Sequence, residues 1–325
     1  MKVNTMEIMG SVLMMLTMMS PSAFSQQRFG PVNNMGIPLN STANDQVPLM
    51  SPNGLSFYFA SNRAGGFGGQ DIWVSRRPAV GAAWGKPQNL GATVNSSSLD
   101  AATAFSLDGR TMFLQSDRMF GFGGRDIYVT SRANADDDFS WSIPVNLGDT
   151  VNSTFDDLGA FYFQNPAAGS ASLIFSSNRI GNPATDYHLY ESTQNANGTF
   201  NTPMFMSDLS TPGEGTETRA AVRKDGLEIV FGSIRAGGIN PGFFDIWVST
   251  RASTATAWNP PVLLQGINTA DDESSPSFAP DAAIIYFHSN RTGGYGMNDL
   301  VTAIRCSLFA APAIERGNSQ CSLYP

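Results

Sequence analysis

The sequence is short of the residues that most catalytic and metal centres need. Its 325 residues include two histidines and two cysteines. Two histidines rule out a three-histidine metal site. Neither Gly-x-Ser-x-Gly nor His-Glu-x-x-His occurs, which excludes two large hydrolase classes in their signature form. Cations are also scarce: 19 Lys and Arg stand against 27 Asp and Glu, a formal charge of −8. Nucleic-acid phosphates would be repelled, so nucleic acid is not an expected partner. Long amphipathic helical patterns are absent after residue 30, and no later segment is apolar for long enough to span a membrane. Cations, sugars and basic protein surfaces remain.

Glycine (32) and proline (19) are abundant, as a fold with many tight turns requires. Apolar residues at 42% supply a core. Five segments recur: SFYFASNRAGGFGGQDIWVS, TMFLQSDRMFGFGGRDIYVT, SLIFSSNRIGNPATDYHLYE, EIVFGSIRAGGINPGFFDIWVS and IIYFHSNRTGGYGMNDLVTA. Their arginines, Arg63, Arg118, Arg179, Arg235 and Arg291, lie 55, 61, 56 and 56 residues apart. A β-rich repeat of that period signals a closed radial array.

Each unit reads as four strands. Strand A precedes a turn such as SPNG (51–54) or SLDG (106–109), strand B ends in Ser-Asn-Arg, strand C is DIWVS, and strand D carries an aromatic and a proline. Asn-Gly and Asp-Gly accept the positive φ of a hairpin turn, and proline suits an outer edge strand. Repeat units fall near 46–91, 101–148, 158–208, 218–266 and 274–305. The chain opens with an orphan strand D at 29–36, with Phe29 as its aromatic, and the fifth unit has no D of its own. The first segment is therefore expected to complete the last blade and close a five-bladed, all-β propeller over 26–305. A six-bladed ring is the alternative. Blade 3 departs from the pattern, with FQNPAAGSAS in place of the tight turn: either a binding loop or a tolerated insertion.

Residues 1–25 read as a secretory leader: Lys2, a Met-rich apolar stretch from Ile8 to Met19, and a small-x-small pattern at Ala23-Phe24-Ser25. This implies a periplasmic or extracellular protein. Glu7 is unusual in a leader, and an uncleaved anchor is the other reading. Export makes a Cys306–Cys321 disulfide an expectation, pinning the tail 306–325. Closing a loop of about 15 residues stabilises by roughly 3 kcal/mol in the chain-entropy account. Two free thiols are the alternative.

SPNG followed by SFYFASNR, a Gly-rich loop and DIW resembles the WD-like β-propeller repeat of TolB-type periplasmic proteins. The resemblance covers about residues 29–305. It implies the propeller fold and a place in the cell envelope. It does not specify a function, since that family holds scaffolding, binding and enzymatic members. The namesake has six blades and an added domain, so its role does not carry over.

In such a ring the D–A and B–C loops share one face. Asp45, Asp100, Asp157, Glu217 and Glu273 fall in the first set, and Arg63, Arg118, Arg179, Arg235 and Arg291 open the second. Asp71, Asp126, Asp186, Asp245 and Asp299 end it. Two readings of these fifteen residues stand. The arginines can rivet the fold through forked bonds to carboxylates, with the second aspartates accepting loop N–H groups. Alternatively, five arginines against ten acids leave an acidic mouth for a cation or a basic segment. Phe67, Phe122, Tyr295 and Phe243–Phe244 are candidates for stacking on sugar or peptide, or for packing over loops.

Candidates for chemistry are few. His288, at the end of strand B, is read as packed or solvated, with an acid or base role as the alternative; His188 is read as packed in blade 3 at the position of Trp73, Tyr128 and Trp247. The run 134–138, with Asp136–Asp138, reads as a solvated C–D loop on the far face. No cofactor is expected; calcium is the alternative, although no run matches EF-hand spacing. The main expectation is an exported, monomeric interaction or ligand-binding module without catalysis, its partner an envelope protein or a glycan. The alternative is a carbohydrate-active enzyme, a glycoside hydrolase or lyase, using carboxylates at the channel mouth.

Overall fold

The computed structural model describes residues 29–165, 168–180, 186–210, 213 and 215–306. The leader, Cys321 and the tail beyond residue 306 lie outside the described residues. Strand β1 (Asn33–Asn34) is followed by five sets of four. These are β2–β5 (Asp45–Met50, Ser56–Ser61, Asp71–Arg76, Gln88–Asn89) and β6–β9 (Asp100–Phe105, Thr111–Ser116, Asp126–Ser131, Val145–Asn146). Next come β10–β13 (Asp157–Asn165, Ser170–Ser177, His188–Thr193, Met204–Phe205), then β14–β17 (Glu217–Val222, Glu228–Ser233, Asp245–Thr250, Val262–Leu263). The last three are β18 (Glu273–Phe278), β19 (Ile284–Ser289) and β20 (Asp299–Ile304). Every sheet is antiparallel and four-stranded, and the fifth has the order β1-β20-β19-β18.

The first described segment thus completes the last blade, with Asn33 opposite Thr302 and Asn34 opposite Val301. A bridge from Phe29 to Arg305 extends the seam. Five blades of four strands form the ring.

The second strand of each blade is apolar on both faces because both are covered by neighbouring blades. Phe57, Tyr58 and Phe59 are consecutive and all fully buried. Burial of each such side chain contributes roughly 1.5–3 kcal/mol. The apolar clusters sit at the seams: Tyr58, Ile72, Leu114 and Trp141 join blades 1 and 2, and Val230, Ile246, Phe287 and Val301 join blades 4 and 5. In the first A–B turn, Gly54 holds φ +70 and donates its N–H to Ser51 O at 2.8 Å. Blade 5 puts Ala282 in the same kind of turn at φ +56, a strained choice for a residue with a Cβ.

The innermost strands share an irregularity. Pairing with the second strand slips between Gln46 and Leu49, Ala102 and Ala104, Leu158 and Phe161, Thr218 and Ala221, and Ser274 and Ser277. At these bulges Val47, Gly159, Arg219 and Ser275 take positive φ, between 53 and 63°. A bulge re-aims one residue per strand. Here it places Val47, Thr103, Gly159, Arg219 and Ser275 along the lining of the axial cavity.

Candidate functional site

Strand ends position the recurrent charges on the face of the B–C and D–A loops. In each blade the arginine that follows the second strand reaches back to the acid that opens the innermost strand. Arg63 meets Asp45 at 2.6 Å, Arg118 meets Asp100 at 2.5 Å and Arg179 meets Asp157 at 2.5 Å. Arg235 meets Glu217 at 2.8 Å and Arg291 meets Glu273 at 3.0 Å. The same guanidinium nitrogen donates to a carbonyl of the preceding connection: Leu39, Val94, Val151, Leu209 or Ile267. Nε donates to Ser61, Ser116, Ser177, Ser233 or Ser289. The ion pairs lie within a blade, and their carboxylates are buried.

The second aspartates organise their own loops. Asp71 accepts from Phe67 N and Gly68 N, Asp126 from Phe122 N and Gly123 N, and Asp299 from Tyr295 N and Gly296 N. Asn89, Asn146 and Asn34 add an amide donor to each in turn. Asp186 accepts from Gly213 N. Blade 4 differs. Among the described residues Asp245 accepts one bond, from Ile239 N at 2.7 Å, and its buried Oδ1 has no partner. Burial raises its pKa, and the nearby charges of Glu273 and Asp272 add to the rise. Asp272 bonds Phe244 N through Oδ1 at 2.7 Å. Phe243, next to this seam, is exposed, as are Phe67, Phe122 and Tyr295 on the other B–C loops; Phe244 is partly buried.

Blade 3 corrects the placement of His188. The residue opposite Ser177 is His188, whereas the residues opposite Ser61 and Ser116 are Asp71 and Asp126. His188 therefore stands where other blades carry the aspartate, and Tyr190 takes the place of Trp73. It is fully buried, with Nδ1 3.0 Å from Glu217 and Nε2 3.4 Å from Asp186. Burial works against its charge, but the bond to Glu217 and the charges of Glu217 and Asp186 raise its pKa on balance.

One further reading is revised. In the run Asp136–Asp138 the first two residues are exposed, but Asp138 is buried. It accepts from Ser56 Oγ and Tyr58 OH of blade 1 and pairs with Arg132 of blade 2 at 3.0 Å, so it rivets a seam. His288 is also buried. Burial, and then the charge of Arg219, bring its pKa down to about 3, which keeps the ring neutral. Cys306 is disulfide-bonded. Among the described residues no three His, Cys, Asp or Glu side chains gather as a metal site requires.

No protein-family model matches the chain, and no curated relative matches it. Solved structures do. An α-L-arabinofuranosidase from Lactobacillus brevis is similar at a TM-score of 0.56 and 16% identity, over 83% of this chain and 92% of that one. The α-L-arabinofuranosidase PaAbf62A of Podospora anserina, solved with cellotriose, is similar at 0.54 and 11%, over 87% and 97%. An arabinanase of Bacillus subtilis is similar at 0.52 and 12%, over 83% and 96%. At such identities the likeness establishes the shared propeller fold. A putative TolB from Agrobacterium tumefaciens reaches only 0.45 at 17% identity, and the TolB-type resemblance rests on the repeat motifs alone. The expectation of a module without catalysis is corrected here: the arabinofuranosidases and the arabinanase among the similar propellers favour the carbohydrate-active alternative.

Proposed function

We propose that this chain is a carbohydrate-active enzyme that cleaves a glycosidic bond at the seam of blades 4 and 5. The observation that carries the reading is Asp245. Its carboxyl combines a raised pKa with a buried oxygen that makes no bond, beside a second carboxylate, Asp272. Two carboxyl groups held in unlike environments are what acid and base roles require. Asp245 is assigned as the proton donor to the leaving oxygen, and Asp272, with one oxygen outside the bond to Phe244 N, as base or nucleophile. Phe243 offers a ring on which a sugar can stack. The similar arabinofuranosidases and arabinanase make arabinose-containing glycans the first substrates to try. The leader-like residues 1–25 support export, and the TolB-type repeat supports a place in the cell envelope.

The test is release of reducing ends from arabinan, arabinoxylan and xylan oligosaccharides. Asp245→Asn and Asp272→Asn should each lower the rate by roughly 100-fold or more, with far-ultraviolet circular dichroism unchanged. Release that both variants sustain at the wild-type rate, or no cleavage of any glycan in a broad panel, refutes the reading.

A further inference from the structure

The face opposite the riveted one holds a feature that this function does not use. A cavity of about 230 Å³ runs along the ring axis from the A–B turns to the bulged residues. Its walls are mainly apolar, with Phe105, Phe161 and Phe278 partly open to it. Among the described residues its charged lining is Arg219, at the bulge, and Lys224, in the A–B turn at the rim, with no Asp or Glu. In a chain with a formal charge of −8, that is a local reversal of sign.

Arg219 is held unlike the five rivet arginines. Of the five N–H donors of a guanidinium, only one on Nη1 has a partner among the described residues, Ser275 Oγ at 2.9 Å. No carboxylate pairs with it among the described residues. Burial lowers its pKa to about 10, and the charge of Arg125 pushes the same way, so it stays cationic at neutral pH. A cation set into protein without a counter-ion is costly, yet the ring is shaped to hold it. Arg219 has φ +54, a conformation disfavoured outside glycine. Its N–H is fixed by Ser176 Oγ at 3.0 Å. Gly159, bound through its N–H by Gln115 Oε1, leaves the space the side chain fills: a Cβ there would lie 2.5 Å from Arg219 Cγ. Further along the lining, Ser277 Oγ is buried with no partner.

We propose that the axial cavity is a binding site for a small organic carboxylate with an apolar body. Its carboxylate would sit on the Arg219 guanidinium and its body against Phe105, Phe161 and Phe278. The forked donor set of arginine fits a carboxylate at two points, and the apolar wall selects against a bare inorganic anion. Ser277 Oγ supplies one further polar contact, and Lys224 attracts the anion at the rim.

The experiment is thermal-shift titration and calorimetry of the full chain. The probes are benzoate and hexanoate, their neutral amides, glucuronate and inorganic phosphate. Benzoate or hexanoate should raise the melting temperature saturably, and the amides should not. Glucuronate binding in their place would reassign the site to acidic sugars, and phosphate binding in their place would assign it to inorganic anions; either overturns the proposal. Arg219→Gln should weaken benzoate binding by roughly 100-fold or more. Should that variant not fold, Lys224→Glu, at an exposed position, decides. A several-fold loss of benzoate affinity, and a loss of affinity with added salt in the wild type, support the site. No shift of the wild type at millimolar carboxylate, or a Lys224→Glu variant that binds benzoate as the wild type does, overturns it. Glycan cleavage by either variant is expected at the wild-type rate, so the two assignments fail separately.

Discussion

The two faces of the ring solve different problems with the same residue type. On the loop-rich face, five arginines sit in five equivalent nests of one acid, one serine and one carbonyl. On the opposite side of the bulges, a single arginine stands among phenylalanines with one hydroxyl as its partner. Repetition marks positions that hold the fold, because each blade needs the same bonds. A residue that breaks the repeat and costs strain is free to do something else. Asp245 follows the same rule within the riveted face: Asp71, Asp126 and Asp299 satisfy both oxygens, and among the described residues Asp245 satisfies one.

Breaking a rivet gives the largest expected effect. Arg118→Ala would leave the fully buried Asp100 carboxylate without its cation, at a cost of about 3–5 kcal/mol. Urea unfolding should show it as a lower midpoint, whereas Arg219→Gln should leave that midpoint nearly in place. If the two variants lose equal stability, the contrast between the faces fails.

The histidines sharpen the same contrast through pH. His288 has a folded pKa lowered to about 3 against the ordinary 6.5, so below 6.5 the unfolded chain binds the extra proton. Its contribution is present above pH 6.5 and is lost as pH falls toward 3, by up to about 1.4 kcal/mol per unit. His188 is raised, so its contribution is present below pH 6.5 and is lost as pH rises through its folded value. His288→Gln should therefore flatten the acid limb of a stability-pH curve. An unchanged acid limb would show that the ring is not kept neutral in the folded protein.

The smallest effect is a gain. Ala282 occupies a left-handed turn position that Gly54 fills in blade 1. Ala282→Gly relieves a strain of about 1–2 kcal/mol, offset by about 0.4–1 kcal/mol from the freer unfolded chain. The melting temperature should rise by a few degrees or less, and a fall would mean that the turn is not strained.

The blade count, the strand order and the closing segment were legible because turn chemistry and the Ser-Asn-Arg signature recur in register. The need of the five arginines for carboxylates was legible too. Whether the bonds would run within or between blades was not, since spacing gives no direction for a side chain. His188 was misplaced because the loop after Arg179 differs in length from its neighbours, so counting residues slides the register. Arg219 gave no signal: alternation along the innermost strand assigns it to a face, and only the bulge turns it toward the axis. Glycine at 159, one blade away at the same strand position, was the single available hint. Asp245 was included among the fifteen, but its lack of a second bond depends on a loop conformation that composition does not encode.

The bond between Asn34 and Asp299 joins residues separated by 265 positions. The entropy of bringing such distant partners together rises only with the logarithm of the separation, so the finished ring is not much weakened by it. Speed is another matter, because contacts this remote in sequence slow folding. Until they form, the third strand of the last sheet offers a bare row of peptide groups that a second molecule could pair with. Crowded refolding should therefore yield strand-exchanged dimers linked through that sheet before any other misassembly.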